Sequence, residues 1–97
     1  MATRNGARAL GLEREVGSVE VGKRADLILV ARDAPHLIPD PDPFSTLVYA
    51  ARADDVRLTM VDGEVLVRDG ISLRLDRAEV AEDARREAAA LVARARL

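Results

Sequence analysis

Ninety-seven residues, with 15 basic and 17 acidic side chains and no cysteine, already exclude several kinds of protein. Without cysteine there is neither a disulfide framework nor a thiolate metal site, and interspersed charges summing to −2 create no one-signed field for a polyanion. No apolar run approaches the roughly 20 residues that cross a bilayer, and no charged-then-apolar leader opens the chain, so a soluble, untargeted, cytoplasmic protein without nucleic-acid or membrane partners is expected.

A chain of this size folds as one domain and buries little more than about 60% of its unfolded surface. Hydrophobic residues make up 48% of it, but 17 of them are alanine and only Phe44 and Tyr49 are aromatic, so the core must be thin. Fourteen of the basic residues are arginine and only Lys23 is lysine, yet no arginine cluster on one face suggests phosphate recognition.

In Met1–Leu12, Ala2, Ala9 and Leu12 fall near helical spacing, with Thr3 as a candidate N-cap and Gly11 weakening the end, so a short helix is expected that starts late or bends at Asn5-Gly6. From Glu13 to Arg24, charged residues alternate with Val16, Val19 and Val21, and Gly17 and Gly22 punctuate a compact loop. Leu27-Ile28-Leu29-Val30 is an apolar run without alternation, the pattern of a central strand covered on both faces. All four prolines, Pro35, Pro39, Pro41 and Pro43, fall within nine residues and predict a stiff, extended surface loop.

Asp42-Pro43 reads as an N-cap followed by a first-turn proline, and Phe44, Leu47, Val48 and Ala51 recur at i, i+3, i+4 and i+7, predicting a two-turn helix over Phe44–Ala51. Val56–Val61 and Glu64–Arg68 flank Asp62-Gly63, which predicts an antiparallel hairpin because glycine accepts positive φ without steric cost. Asp69-Gly70 repeats the signal and predicts a third short strand over Ile71–Leu73. From Asp76 the pattern is a capping box followed by a long alanine-rich helix to Leu97, with Glu82 and Arg86 as a favourable pair and repulsion of Asp83 by Glu79 and Glu87. Its narrow stripe of Val80, Ala84, Ala88, Leu91 and Ala95 suits close approach to another surface. The fold class is therefore α+β, a small mainly antiparallel sheet with an N-terminal, a short middle and a long C-terminal helix.

A search for chemistry returns no assigned catalytic, cofactor-binding or metal-ligating residue. His36 is the only histidine and lacks the partners a metal ligand or general base needs. The acid pairs Asp40/Asp42 and Asp54/Asp55 fall where turns and caps want short acceptors, Asp42 and Asp54 in particular, and lack the ligand ladder of a calcium loop. Ser18, Ser45, Ser72, Thr3, Thr46 and Thr59 have no activating base. Gly17–Gly22 lacks phosphate-loop spacing.

Three blocks in order carry a resemblance: Met1–Leu12 with its Ala-Thr-Arg-Asn-Gly-Ala segment, Gly17–Leu27 with Gly-Lys-Arg-Ala-Asp-Leu, and Asp42–Ala51 followed by the Val61-Asp62-Gly63 hairpin. Together they resemble the C-terminal part of the amidohydrolase superfamily, in the branch holding chlorohydrolases and cytosine, guanine and methylthioadenosine/adenosylhomocysteine deaminases. The resemblance covers residues 1 to about 72. It implies a (β/α)8 barrel that holds a zinc or iron ion and performs hydrolysis at non-peptide C–N or C–Cl bonds, beside a smaller β-sandwich assembled from both chain ends.

On that basis residues 1–12 correspond to the barrel's last helix, 13–75 to the C-terminal part of the sandwich and 76–97 to a C-terminal helix. The family's metal ligands, a His-x-His pair, two further histidines and an aspartate, lie upstream of the Ala-Thr-x-Asn-Gly-Ala segment, so none maps onto this chain and no metal is expected in it. Two functions follow as expectations: a non-catalytic structural portion of a metal-dependent hydrolase whose partner is the missing barrel, or a free-standing interaction or regulatory module. In either case an open sheet edge and uncovered helices predict self-association.

Overall fold

A computed structural model describes residues 2–40 and 42–95, so Met1, Pro41, Arg96 and Leu97 lie outside the described residues. The order is α1 (Arg4–Ala9), β1 (Leu27–Val30), a 3-10 turn (Pro35–Leu37), α2 (Pro43–Ser45) continued by a π turn (Thr46–Ala50), a 3-10 turn (Ala53–Asp55), β2 (Val56–Val61), β3 (Glu64–Arg68), β4 (Ile71–Ser72) and α3 (Arg77–Ala95). The strands form one antiparallel sheet in the order β1-β2-β3-β4. The α+β architecture is the one the sequence predicts.

Helix α1 ends in a Schellman turn: Leu12 N–H donates to the Ala7 carbonyl at 2.8 Å and Gly11 N–H to Arg8 at 3.1 Å, with Gly11 at φ +71°. Thr3 occupies its N-cap position but forms no capping hydrogen bond through its side chain. The loop after α1 folds back against it at Gly17, where a Cβ would lie 2.7 Å from the Ala7 Cβ, and so only glycine permits this approach.

The hairpin forms over the predicted residues, with Asp62 and Gly63 at φ +51° and +81°, the pair of positive values that a type I′ turn requires. Asp69 and Gly70 repeat the device at +48° and +75°. The third strand is Ile71–Ser72, one residue shorter than expected, because the Ser72 Oγ turns to accept Leu75 N–H at 3.1 Å and closes the chain into a bend. Asp76 Oδ1 caps α3 by accepting from Ala78 N–H at 2.8 Å and Glu79 N–H at 3.1 Å.

The core is thin, as its composition dictates. Among the described residues the buried apolar side chains are Ala7 and Leu37, Leu37 being 2% exposed, and the buried polar ones are Thr46 and Asp55. Leu37 corrects the expectation of a plain extended loop: the proline-rich segment folds into a 3-10 turn that inserts this side chain into the molecule.

Strand β1 corrects the expectation of a central strand. Among the described residues it pairs with β2 alone and forms the sheet's edge, with Ile28 and Leu29 53% and 55% exposed. The helical segment after Pro43 tells the same story. The predicted two-turn helix over Phe44–Ala51 is a short α-helix running into the π turn, in which Ala51 N–H donates to Thr46 at 2.8 Å. Its stripe is solvent-facing, since Phe44, Leu47, Val48 and Tyr49 are all exposed.

Two global measures agree. The accessible surface is 8283 Å², against about 5,400 Å² for a compact protein of this mass. The radius of gyration is 18.3 Å, against about 12.5 Å for a compact chain of this length.

Candidate functional site

Two kinds of local arrangement surround the sheet. The first is a set of polar clasps. Asp26 Oδ1 accepts Asp62 N–H at 2.7 Å, and Ala25 accepts Gly63 N–H at 3.1 Å, so the turn of the hairpin is held by the segment that leads into β1. Asp26 is thus a structural acceptor for the hairpin turn.

Lys23 is largely covered, its side chain only 17% exposed. Its Nζ donates to the Glu13 carbonyl at 2.7 Å and to Ser18 Oγ at 2.8 Å, and lies 3.5 Å from Glu20. One flexible stem with three donors therefore closes the whole loop. Ser18 donates in turn to Glu20, and that bond with the Lys23 charge holds the Glu20 carboxyl below the usual carboxylate range.

His36 and Asp55 form a second clasp, His36 Nε2 to Asp55 Oδ2 at 2.8 Å. Asp55 also accepts Arg52 N–H at 2.7 Å, and the two bonds, His36 foremost, lower its pKa. The turn acceptor in this acid pair is thus Asp55 and not Asp54, and His36, given no role by the sequence, pins the proline-rich turn to the start of β2. Nineteen residues separate the two, so no local pattern signals the pair.

Asp42 caps α2 as expected, accepting Phe44 N–H at 2.9 Å and Ser45 N–H at 3.0 Å. Asp40 accepts from Thr46 Oγ1 and pairs with Arg32. On α3, Arg86 pairs with Asp83 at 2.6 Å in place of the expected Glu82. That pairing also offsets the repulsion around Asp83.

The second arrangement is an apolar face. A cleft of about 480 Å³ runs between α1, the loop at Val16–Val19 and β1, and a cleft of about 350 Å³ runs between β1 and the segment at Pro43–Leu47. Thr3 and Ile28 line both, so one surface stretches from Leu10 across the edge strand to Leu47. Of the polar side chains along it, Arg32 and Thr46 are bonded to Asp40, Ser18 to Glu20 and Lys23, and Asp26 to the Asp62 amide. Among the described residues this face presents no nucleophile with a base. Among the described residues no group of three or more His, Asp or Glu side chains could hold a metal ion, and the one imidazole is engaged with Asp55. These residues therefore do not fit a zinc centre.

A profile of the amidohydrolase family matches residues 1–66, and the chain belongs to that family. Within it the chain is similar to adenosine-type deaminases. It is 54% identical over 80 residues to a 5-methylthioadenosine/S-adenosylhomocysteine deaminase of Moorella thermoacetica, a match covering 82% of this chain and 19% of the relative. It is 52% identical over 95 residues to a 5'-deoxyadenosine deaminase of Methanosarcina acetivorans, covering 98% of this chain and 22% of the relative. Among solved structures, it superposes on an adenosine deaminase from Xanthomonas campestris with bound zinc at a TM-score of 0.84 and 36% identity, covering 88% of this chain and 19% of that one. The chain thus spans about a fifth of the length of the relatives it matches.

No helix among the described residues is long and apolar enough to cross a membrane.

Proposed function

We propose that the chain is the C-terminal structural portion of a cytoplasmic, metal-dependent deaminase that releases ammonia from an adenine nucleoside modified at the ribose 5' position. In this reading residues 1–12 complete the barrel, 13–75 supply the sandwich and 76–97 form the terminal helix. The zinc or iron ion and the catalytic side chains belong to a barrel outside these residues, and the chain alone is inactive. The observation that carries it is the continuous apolar surface from Leu10 through Ile28 to Leu47, open in a chain that matches only a fifth of each deaminase. A face of that size is stable in water when another body covers it.

A replacement experiment tests the proposal. The matching segment of the Moorella relative is exchanged for this chain, and ammonia release from 5'-methylthioadenosine is measured. An active chimera is expected, with no activity from the relative lacking the segment or from the 97-residue chain alone. Deamination by the chain alone, or a soluble metal-loaded chimera without activity, would overturn it.

A further inference from the structure

The Asn5-Gly6 pair of α1 serves neither the polar clasps nor the proposed function. The two residues predict a late start or a bend, yet α1 runs through both from Arg4 to Ala9. Asn5 is exposed, and it is the only asparagine of a chain without glutamine, so it carries the sole side-chain carboxamide. Beside it, the Gly6 amide has no backbone acceptor among the described residues. The first amide of α1 to bond back is Ala7 N–H, to the Thr3 carbonyl at 2.9 Å, and the Thr3 side chain caps nothing. Gly6 is only half-buried and lines the cleft of about 480 Å³ beside α1, so water reaches it.

We propose that Asn5 is a site of spontaneous covalent modification, at which the chain converts its own carboxamide to aspartate and isoaspartate. The Gly6 nitrogen, deprotonated by hydroxide, attacks Asn5 Cγ. The N–Cγ bond forms, the Cγ–Nδ2 bond breaks, and Nδ2 leaves as ammonia with a proton taken from water. Water then opens the cyclic imide at either carbonyl, giving aspartate where the new N–Cγ bond breaks and isoaspartate where the original peptide bond breaks. A helical Gly6 nitrogen does not face Asn5 Cγ, so the first turn must open first. Little opposes that opening, because six residues are too few to hold a helix by themselves, the cap is unformed and glycine is the poorest helix former after proline. The hairpin turn is better protected: Asp62 offers a carboxylate in place of a carboxamide, and the Gly63 amide donates to Ala25 at 3.1 Å. Isoaspartate lengthens the backbone inside the first turn and so dismantles the wall that α1 gives to the cleft. The modification is independent of the deaminase assignment, since it releases one ammonia per chain without turnover.

Incubation of the 97-residue chain in mildly alkaline buffer at physiological temperature, followed by intact mass and peptide mapping, tests it. A gain of one mass unit located at Asn5 is expected, with a rate rising in proportion to hydroxide. Gly6→Ala should slow it by about fivefold or more, because alanine favours the closed helix and adds a Cβ beside the attacking nitrogen. An undiminished rate in that variant, folded by circular dichroism, would overturn the proposal. So would a chain that keeps its carboxamide in native buffer and loses it in urea, because the turn would then stay shut; this comparison needs no variant. Isoaspartate forming faster at Asp62 or Asp69 than at Asn5 would overturn it as well.

Discussion

The β2–β3 hairpin and α3 are both dictated by local sequence, yet they differ in what holds them. The hairpin's turn is clasped from 36 residues away by Asp26, and its start is fixed by Asp55 through Arg52 and His36. Helix α3 has its own backbone, the Asp76 cap and exposed pairs such as Asp83–Arg86. Polar groups around the hairpin are answered inside the chain; the apolar faces of α3, β1 and α2 are not. The two regions therefore answer to different perturbations.

The largest expected effect separates them by removing the best-buried side chain. Leu37→Ala should destabilise the sheet and its clasps by about 3 kcal/mol, the usual cost of a cavity at a leucine site, because Leu37 is 2% exposed. Urea unfolding followed by exchange of β2 and β3 amides should register the loss, while the helical ellipticity of α3 persists. Equal losses in both signals would show that sheet and helix unfold as one unit.

A smaller effect probes the clasp itself. Asp26→Ala leaves Asp62 N–H without its acceptor and should cost about 1 kcal/mol, since the bond is exposed and water replaces it in part. Faster hydrogen exchange at the Asp62 amide, with little change at β4, is the signature. Unchanged exchange at Asp62 would remove Asp26 from the hairpin's support.

What the sequence reveals follows the same division. Asp62-Gly63, the Asp42 and Asp76 caps and α3 are legible because each depends on residues within a few positions of one another. Strand β1 is misread for the opposite reason. An unbroken apolar run reports that something covers both faces, but the covering body need not be in the same chain. Lys23 and His36 are missed because their partners, Glu13 and Asp55, lie ten and nineteen residues away. The absence of assigned catalytic residues rests on the lone histidine and the hydroxyls without a base, and on a family resemblance that places the metal ligands upstream of these residues.

Acid reaches the hairpin region through Asp55. Its folded-state pKa lies below the ordinary 3.8 because His36 and Arg52 N–H bond the ionised form. The folded state thus holds this proton less tightly than the unfolded state does. Its contribution is complete above the unfolded value and is lost as pH falls through the folded one. Asp55→Asn should flatten the pH dependence of stability below about pH 4. An unaltered acid limb would mean that other carboxylates, such as Asp40 and Asp42 with their own lowered pKa values, dominate it.

The smallest effect falls on α3. Asp76→Ala removes the acceptor for the Ala78 and Glu79 amides and should cost the helix about 1 kcal/mol. In a helix packed on the sheet, that loss would appear in the unfolding of the whole molecule. Here no residue of α3 is buried, so fraying of the first turn has no apolar contact through which to reach β4. Helical ellipticity should fall while the urea midpoint of the sheet amides stays in place. A matching drop in the sheet midpoint at low concentration would instead show that α3 leans on the sheet in solution.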